Sequence, residues 1–193
     1  MKALEDRIRA DAQILGGNVL KVSSFLNHQI DPDLMTELGE EVARLYANEG
    51  VTKILTIEAS GIAVAMAVGS AMHLPVLFAK KHRTSNVSGA VLQTTVHSFT
   101  HGIDYTVVVE SAYLNSDDKV LIVDDFLANG MAIRGLLHLT RQAGAEAAGI
   151  AVAIEKGFQD GGRQLREQGL RVESLAIVEH MDESGVTFRN ESL

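Results

Sequence analysis

Apolar residues recur along this chain in two periods, one suited to buried strands and one to helices. Val120-Leu121-Ile122-Val123 is an unbroken apolar run, three of its four residues β-branched, as expected of a strand buried on both faces in a parallel sheet. Asp124 and Asp125 follow at its carboxyl end, then a short turn containing Gly130. Apolar residues then return at helical spacing at Ile133, Leu136 and Leu137, with Thr140 next on that stripe. The same order of strand, glycine turn and helix occurs earlier. Residues 53–57 read as a strand, Glu58-Ala59-Ser60-Gly61 as a turn, and the small residues up to about His73 as a helix. Further strands are predicted at 76–79, 149–154 and 172–178, with a short edge strand at 186–188. Residues 91–99 and 105–110, separated by His101-Gly102, predict a β-hairpin. Leu4, Ile8, Ala12 and Leu15 predict a first helix stopped by Gly16-Gly17. Asp31-Pro32 opens a second, with Asp as N-cap and Pro at the first helical position; Leu34, Leu38, Val42 and Leu45 form its stripe, and Asn48-Glu49-Gly50 ends it. The helix after Gly130 should close at Ala143-Gly144, and another should cover 161–168. Such alternation implies an α/β fold, a parallel twisted sheet flanked by helices on both faces. Residues 18–29 follow neither period, so the segment before Ile30 is expected to pack over the ligand end as a small hood.

Composition narrows the class. A chain of 193 residues with 46% hydrophobic content and mean hydropathy +0.10 suits one domain with a sizeable core. Aromatics are only 5% and Trp is absent, so that core relies on aliphatic packing. A net charge of −8 and pI near 5.3 argue against nucleic-acid binding by the whole surface, while leaving room for a local cationic pocket. With no cysteine there is no disulfide and no thiolate metal site, which suits a reducing cytosol. Charges run throughout residues 1–15, unlike a signal peptide, and the longest small-apolar run, 61–72, is too short to span a bilayer. A soluble intracellular protein without membrane association is expected.

The candidate chemistry lies at the two strand–turn–helix junctions. Gly130 lets the backbone turn tightly and approach a ligand. The amides of its turn and of the following helix start are unpaired donors at the positive end of a helix dipole, a cradle for an anion. The carboxylates beside it suit sugar hydroxyls or a magnesium ion, so a phosphorylated sugar satisfies both. The turn at Ala59-Ser60-Gly61 offers a second cradle, and two such sites at the ends of parallel strands suit a ligand with phosphate at both ends. The basic cluster Lys80-Lys81-His82-Arg83, set in an acidic protein, reads as a clamp for such a ligand. The polar segment 84–89 reads as a mobile loop.

A hydrophobic strand, two acidic residues and a small-residue loop together resemble the signature of the type I phosphoribosyltransferases. Where that signature has threonines around its glycine this chain has Ala128 and Ala132, with Asn129 before Gly130 and Met131 after it. Phosphate binding must therefore rest on backbone amides. The Ala-Asn-Gly-x-Ala form is similar to the xanthine-using branch of the family. So are the stretches from Leu20 to Pro32, from Ile57 through Ser60 and Gly61 to Ala63, and Ile154-Glu155-Lys156-x-Phe158-Gln159.

The resemblance implies that Ala128 to Ala132 hold the 5-phosphate of phosphoribosyl pyrophosphate and that Asp124 and Asp125 face its ribose hydroxyls. It implies that Ala59, Ser60 and Gly61 hold the pyrophosphate, that Lys81 reaches it, commonly in the partner subunit's site, and that Leu20, Asn27 and Lys156 contact xanthine. Lys156 offers only donors, which suits an oxo purine and disfavours adenine's amine; Phe158 is a candidate for stacking on the purine. The expected reaction is transfer of the phosphoribosyl group to N9 of xanthine, giving XMP and pyrophosphate. Magnesium would arrive through the substrate, with no metal ligated directly by the protein. One domain over 1–193 is implied, with about 1–30 forming the base-binding hood and about 82–110 a flexible hairpin that closes over the reaction centre. A cytoplasmic homodimer in purine salvage is implied as well. Guanine or hypoxanthine remain open as the preferred base. A phosphoribosyl-pyrophosphate-sensing regulator remains open as a non-catalytic alternative, although no winged-helix module or basic face is visible. A phosphoreceiver module fits poorly, since no Asp occurs between Asp125 and Asp160.

Overall fold

A computed structural model describes residues 1–16, 19–81, 89–98 and 103–189. A six-stranded sheet organises it. Its strands are β3 (Lys53–Ile57), β4 (Val76–Ala79), β7 (Lys119–Leu127), β8 (Glu146–Lys156), β9 (Val172–Asp182) and β10 (Gly185–Phe188), in the order β10-β9-β8-β7-β3-β4. All neighbours pair in parallel except β10, an antiparallel edge on β9. Side chains 120–123 of β7 are fully buried, each worth about 1.5–3 kcal/mol over exposure, so this strand sits at the centre of the sheet.

Helices cover both faces. α1 (Lys2–Asp11), α2 (Pro32–Leu45) and α3 (Gly61–Met72) pack with Leu121, Val123 and Ala151 in one core layer. On the other face, α4 (Met131–Gln142) and α5 (Gly161–Glu167) pack with Leu55, Val120 and Ile122. The hairpin of β5 (Val91–Ser98) and β6 (Ile103–Glu110) joins that second layer. α2 begins as its sequence predicts: Asp31 Oδ1 accepts from the amides of Asp33 and Leu34 at 3.1 and 3.2 Å, with Pro32 at the first helical position. The chain leaves β3 toward β4 on one side and returns to β7 on the other. The β3/β7 boundary is thus a topological switch point, where open α/β sheets bind ligands beyond the strands' carboxyl ends.

Several elements differ from the sequence reading. Helix α1 stops at Asp11, and Leu15, placed on its stripe, belongs instead to β1 (Gln13–Leu15), paired antiparallel with β2 (Val19–Lys21). Backbone pairing with the very next segment overrode a helical pattern whose last member is half exposed. The segment that followed neither period contains β2 and a π-helical turn, Ser23–Asn27. Strand β7 does not end before the acidic pair but runs through it to Leu127, because Asp124, Phe126 and Leu127 stay in register with Val152, Ile154 and Glu155 of β8. β8 and β9 are each longer at one or both ends than 149–154 and 172–178 suggest. His82, Arg83, most of the 84–89 loop and the His101-Gly102 turn lie outside the described residues.

Candidate functional site

Asp124 and Asp125 are the charged groups that β7 carries to the switch point, 5% and 6% exposed. Their surroundings differ. Asp124 Oδ1 accepts the amide of Asp125 at 2.9 Å and lies beneath α3: a Cβ built on Gly61 would sit 2.7 Å from it and 2.3 Å from Thr56 Oγ1. Only glycine lets this turn approach so closely. Burial first, then the neighbouring charge of Asp125, pushes the Asp124 carboxyl well above the usual carboxylate range, and Lys81 opposes the shift. Asp125 instead collects side chains from distant parts of the chain. Asn27 Nδ2 donates to its Oδ2 at 3.1 Å and Ser60 Oγ to its Oδ1 at 3.0 Å. One carboxylate thus joins the π-helical turn before α2 to the turn after β3.

Both glycine turns leave helix starts open. Neither α3 nor α4 has a side-chain cap, in contrast to α2, so their first amides remain available to an anion. Gly130 sits at φ +78° before α4, a left-handed conformation that favours glycine. The loop Ala128, Asn129, Gly130, Met131 and Ala132 lines a cleft of about 170 Å³ whose far wall includes His97 and Tyr105 of the hairpin. The turn Ala59-Ser60-Gly61 follows β3, and Glu58 at its start accepts the amide of Lys81 at 2.7 Å. Lys81 Nζ stands 5.4 Å from the centre of the Tyr105 ring, so it is placed between the hairpin and the acidic pair of its own chain.

The residues assigned to the base are more dispersed. Asn27 ends the π-helical turn and is held on Asp125. Leu20 packs its side chain into the core layer of α1–α3 at 6% exposure, leaving its backbone as the group with access to a ligand. Lys156 is the last residue of β8, next in sequence to Glu155, which pairs with Leu127 just before the 128–132 loop. Its burial lowers the ammonium's pKa. Phe158 stands on the following turn, 44% exposed, not packed in the core.

Several members of the site were not singled out from sequence. Glu58, Thr56, Tyr105 and His97 carry no local signal, because their places come from strand pairing and hairpin docking. Among the described residues no group of His, Asp and Glu forms a cluster able to hold a metal ion by itself, and no helix is long and apolar enough to cross a membrane.

Two uncapped helix starts and an acidic pair thus meet at the switch point of a mostly parallel sheet, an arrangement suited to a ligand with phosphate at both ends. The phosphoribosyl transferase domain profile matches residues 22–186, and the chain belongs to that family. Within it, relatives at about half identity include xanthine phosphoribosyltransferases. That of Pseudomonas savastanoi pv. phaseolicola is 52% identical over 189 residues, spanning 98% of this chain and 100% of the relative. That of Ligilactobacillus salivarius is 48% identical over 191 residues, spanning 99% and 100%. Solved structures share the fold at much lower identity. An adenine phosphoribosyltransferase from Trypanosoma brucei, in complex with AMP, pyrophosphate and ribose-5-phosphate, superposes with TM-score 0.76 at 14% identity over 94% of this chain and 83% of that one. The enzyme from Rhodothermus marinus gives 0.74 at 17%, over 92% and 100%.

Proposed function

We propose that this enzyme transfers the 5-phosphoribosyl group of phosphoribosyl pyrophosphate to N9 of xanthine, giving XMP and pyrophosphate. The observation that carries the reading is the meeting of Asn27 and Ser60 on the Asp125 carboxylate, which links the hood to the two helix starts suited to phosphate. In the reaction the C1–O bond to pyrophosphate breaks as the N9 lone pair forms the C1–N9 bond, and the N9 proton leaves to solvent.

The 128–132 amides hold the 5-phosphate, and the 59–61 turn with Lys81 holds the departing pyrophosphate. Asp125, with Asp124 beneath it, presents negative charge to the ribose as C1 becomes cationic, so preorganised charge and positioning supply most of the acceleration. Lys156 donates to a xanthine carbonyl, Asn27 turns its amide to the base edge, Leu20 contributes its backbone and Phe158 stacks on the purine face. The hairpin, with Tyr105 and His97 on the cleft, closes to exclude water. The hard oxygens of the acidic pair, facing the phosphate turn, fit magnesium carried in on the donor's phosphates, where it would neutralise the leaving pyrophosphate. One domain spanning 1–193, with hood 1–30 and closing hairpin 82–110, working as a cytoplasmic homodimer in purine salvage, completes the reading.

A pyrophosphate-release assay with xanthine, guanine, hypoxanthine and adenine supplied singly tests it. Xanthine is expected to be preferred, and Asn27→Ala and Lys156→Ala to lose that preference. Preference for guanine or hypoxanthine would overturn the base assignment. Saturable donor binding without turnover of any base would replace the enzyme by a sensor of the donor.

A further inference from the structure

The short helix α5 lies against the back of the 128–130 loop, and its first two residues are glycines held between two rigid bodies. A Cβ on Gly161 would fall 2.1 Å from the Ala128 carbonyl oxygen, 2.7 Å from the Asn129 carbonyl carbon and 2.7 Å from the Gly130 nitrogen. A Cβ on Gly162 would fall 2.0 Å from Glu155 Oε1 and 2.8 Å from Arg166 Nη1. Nothing there is free to give way. Glu155 is 2% exposed, receives both Arg166 nitrogens at 2.8 and 2.7 Å, and also accepts from Ser174. From the other side, Arg134 of α4 reaches Gln164 at 3.0 Å and Gln168 at 3.3 Å. Leu165, fully buried, lies 3.6 Å from where a Gly130 Cβ would be.

This contact has a directional consequence. In a trans peptide the carbonyl and the following amide point opposite ways. With the Ala128 carbonyl turned toward Gly161, the Asn129 amide of the same peptide points away from α5, to the cleft side of the loop. We propose that Gly161 and Gly162, pinned by the Glu155–Arg166 pair, are positioning residues that set the 128–130 peptides and hence their grip on the 5-phosphate. The inference rests on the reading that this loop holds that phosphate. A methyl at Gly161 must push the Ala128 carbonyl aside by about 1 Å, and misplacement on that scale costs up to about 100-fold.

The test titrates ribose 5-phosphate and pyrophosphate separately, by calorimetry, into the parent, Gly161→Ala and Asn129→Asp. The last sets a carboxylate in the loop and checks the underlying reading. Gly161→Ala is expected to weaken ribose 5-phosphate about 10- to 100-fold while pyrophosphate stays within about twofold. Unchanged ribose 5-phosphate affinity in Gly161→Ala alongside a loss in Asn129→Asp would overturn the positioning role and leave the reading standing. If neither variant changes it, the phosphate is held elsewhere and both fall. Equal weakening of the two probes marks general loosening and also overturns the proposal. Should Gly161→Ala fail to fold, Leu165→Ala, which withdraws support from behind the loop, is read by the same criteria.

Discussion

Replacing each member of the acidic pair by its amide should separate their roles. Asp125→Asn keeps the shape but removes the charge on which Asn27 and Ser60 converge at 3.1 and 3.0 Å. Hydrogen bonds to a charged group are worth about 1 kcal/mol more than neutral ones, so the two contacts together lose about 2 kcal/mol, close to 30-fold. That loss loosens how firmly the two segments are held; separately, loss of charge facing the ribose cation lowers kcat, since one preorganised electrostatic partner is commonly worth about 10²–10³. A fall in kcat of at least about 100-fold is expected. Asp124→Asn should cost less than about tenfold, because burial already favours the neutral form and an amide oxygen still accepts the Asp125 N–H. The sign of the pH effect follows. A carboxyl whose folded pKa is raised contributes stability that is full below its unfolded value, about 3.9, and is lost as pH rises through the folded value. Asp124→Asn should therefore gain stability over the parent as pH climbs through that window. Steady-state kinetics with xanthine at pH 7.5, and denaturant unfolding of the free protein across pH, check the two halves. An Asp124→Asn loss equal to or larger than that of Asp125→Asn would refute the division of labour.

Three further outcomes are expected. Gly61→Ala, whose Cβ would lie 2.3 Å from Thr56 Oγ1 and 2.7 Å from Asp124 Oδ1, should displace the turn and weaken pyrophosphate about tenfold or more in equilibrium titration; unchanged affinity would show that this turn does not hold it. Arg166→Met leaves the Glu155 carboxylate buried without its partner and should cost about 2–3 kcal/mol, the low side of values for broken buried pairs because Arg166 is 33% exposed; a melting scan detects it, and adding Glu155→Gln should restore part of the loss. Burial alone would raise the Glu155 carboxyl, but Arg166 and Ser174 hold it below its ordinary 4.5. Its contribution is therefore present above that pH and lost as pH falls through the depressed value, so the gap between parent and the double variant should shrink in acid.

The apolar run of β7, its acidic pair, the two glycine turns, the Asp31 cap and the order of strands and helices from Pro32 onward could be read from the chain alone. Each depends on residues within a turn or two of one another: a run of β-branched side chains, a 3.6-residue stripe, an amide and a side-chain cap. The residues assigned to the base were singled out only by resemblance, since nothing local distinguishes Asn27 from a turn former or Phe158 from a core aromatic. Other features came from contacts between distant segments. Asn27 reached Asp125 across 98 positions, and β8 kept β7 extended past the acidic pair. Gly161 came to rest on the Ala128 carbonyl, and Lys81 came to stand between Tyr105 and Asp124. Local patterns mark which segments become strands and helices because the apolar period, of two or 3.6 residues, and the turn and cap residues all lie within the segment. Which carboxylate is buried, which amides face the cleft and which glycine must lack a side chain depend on packing between segments, and no short window of sequence contains both partners.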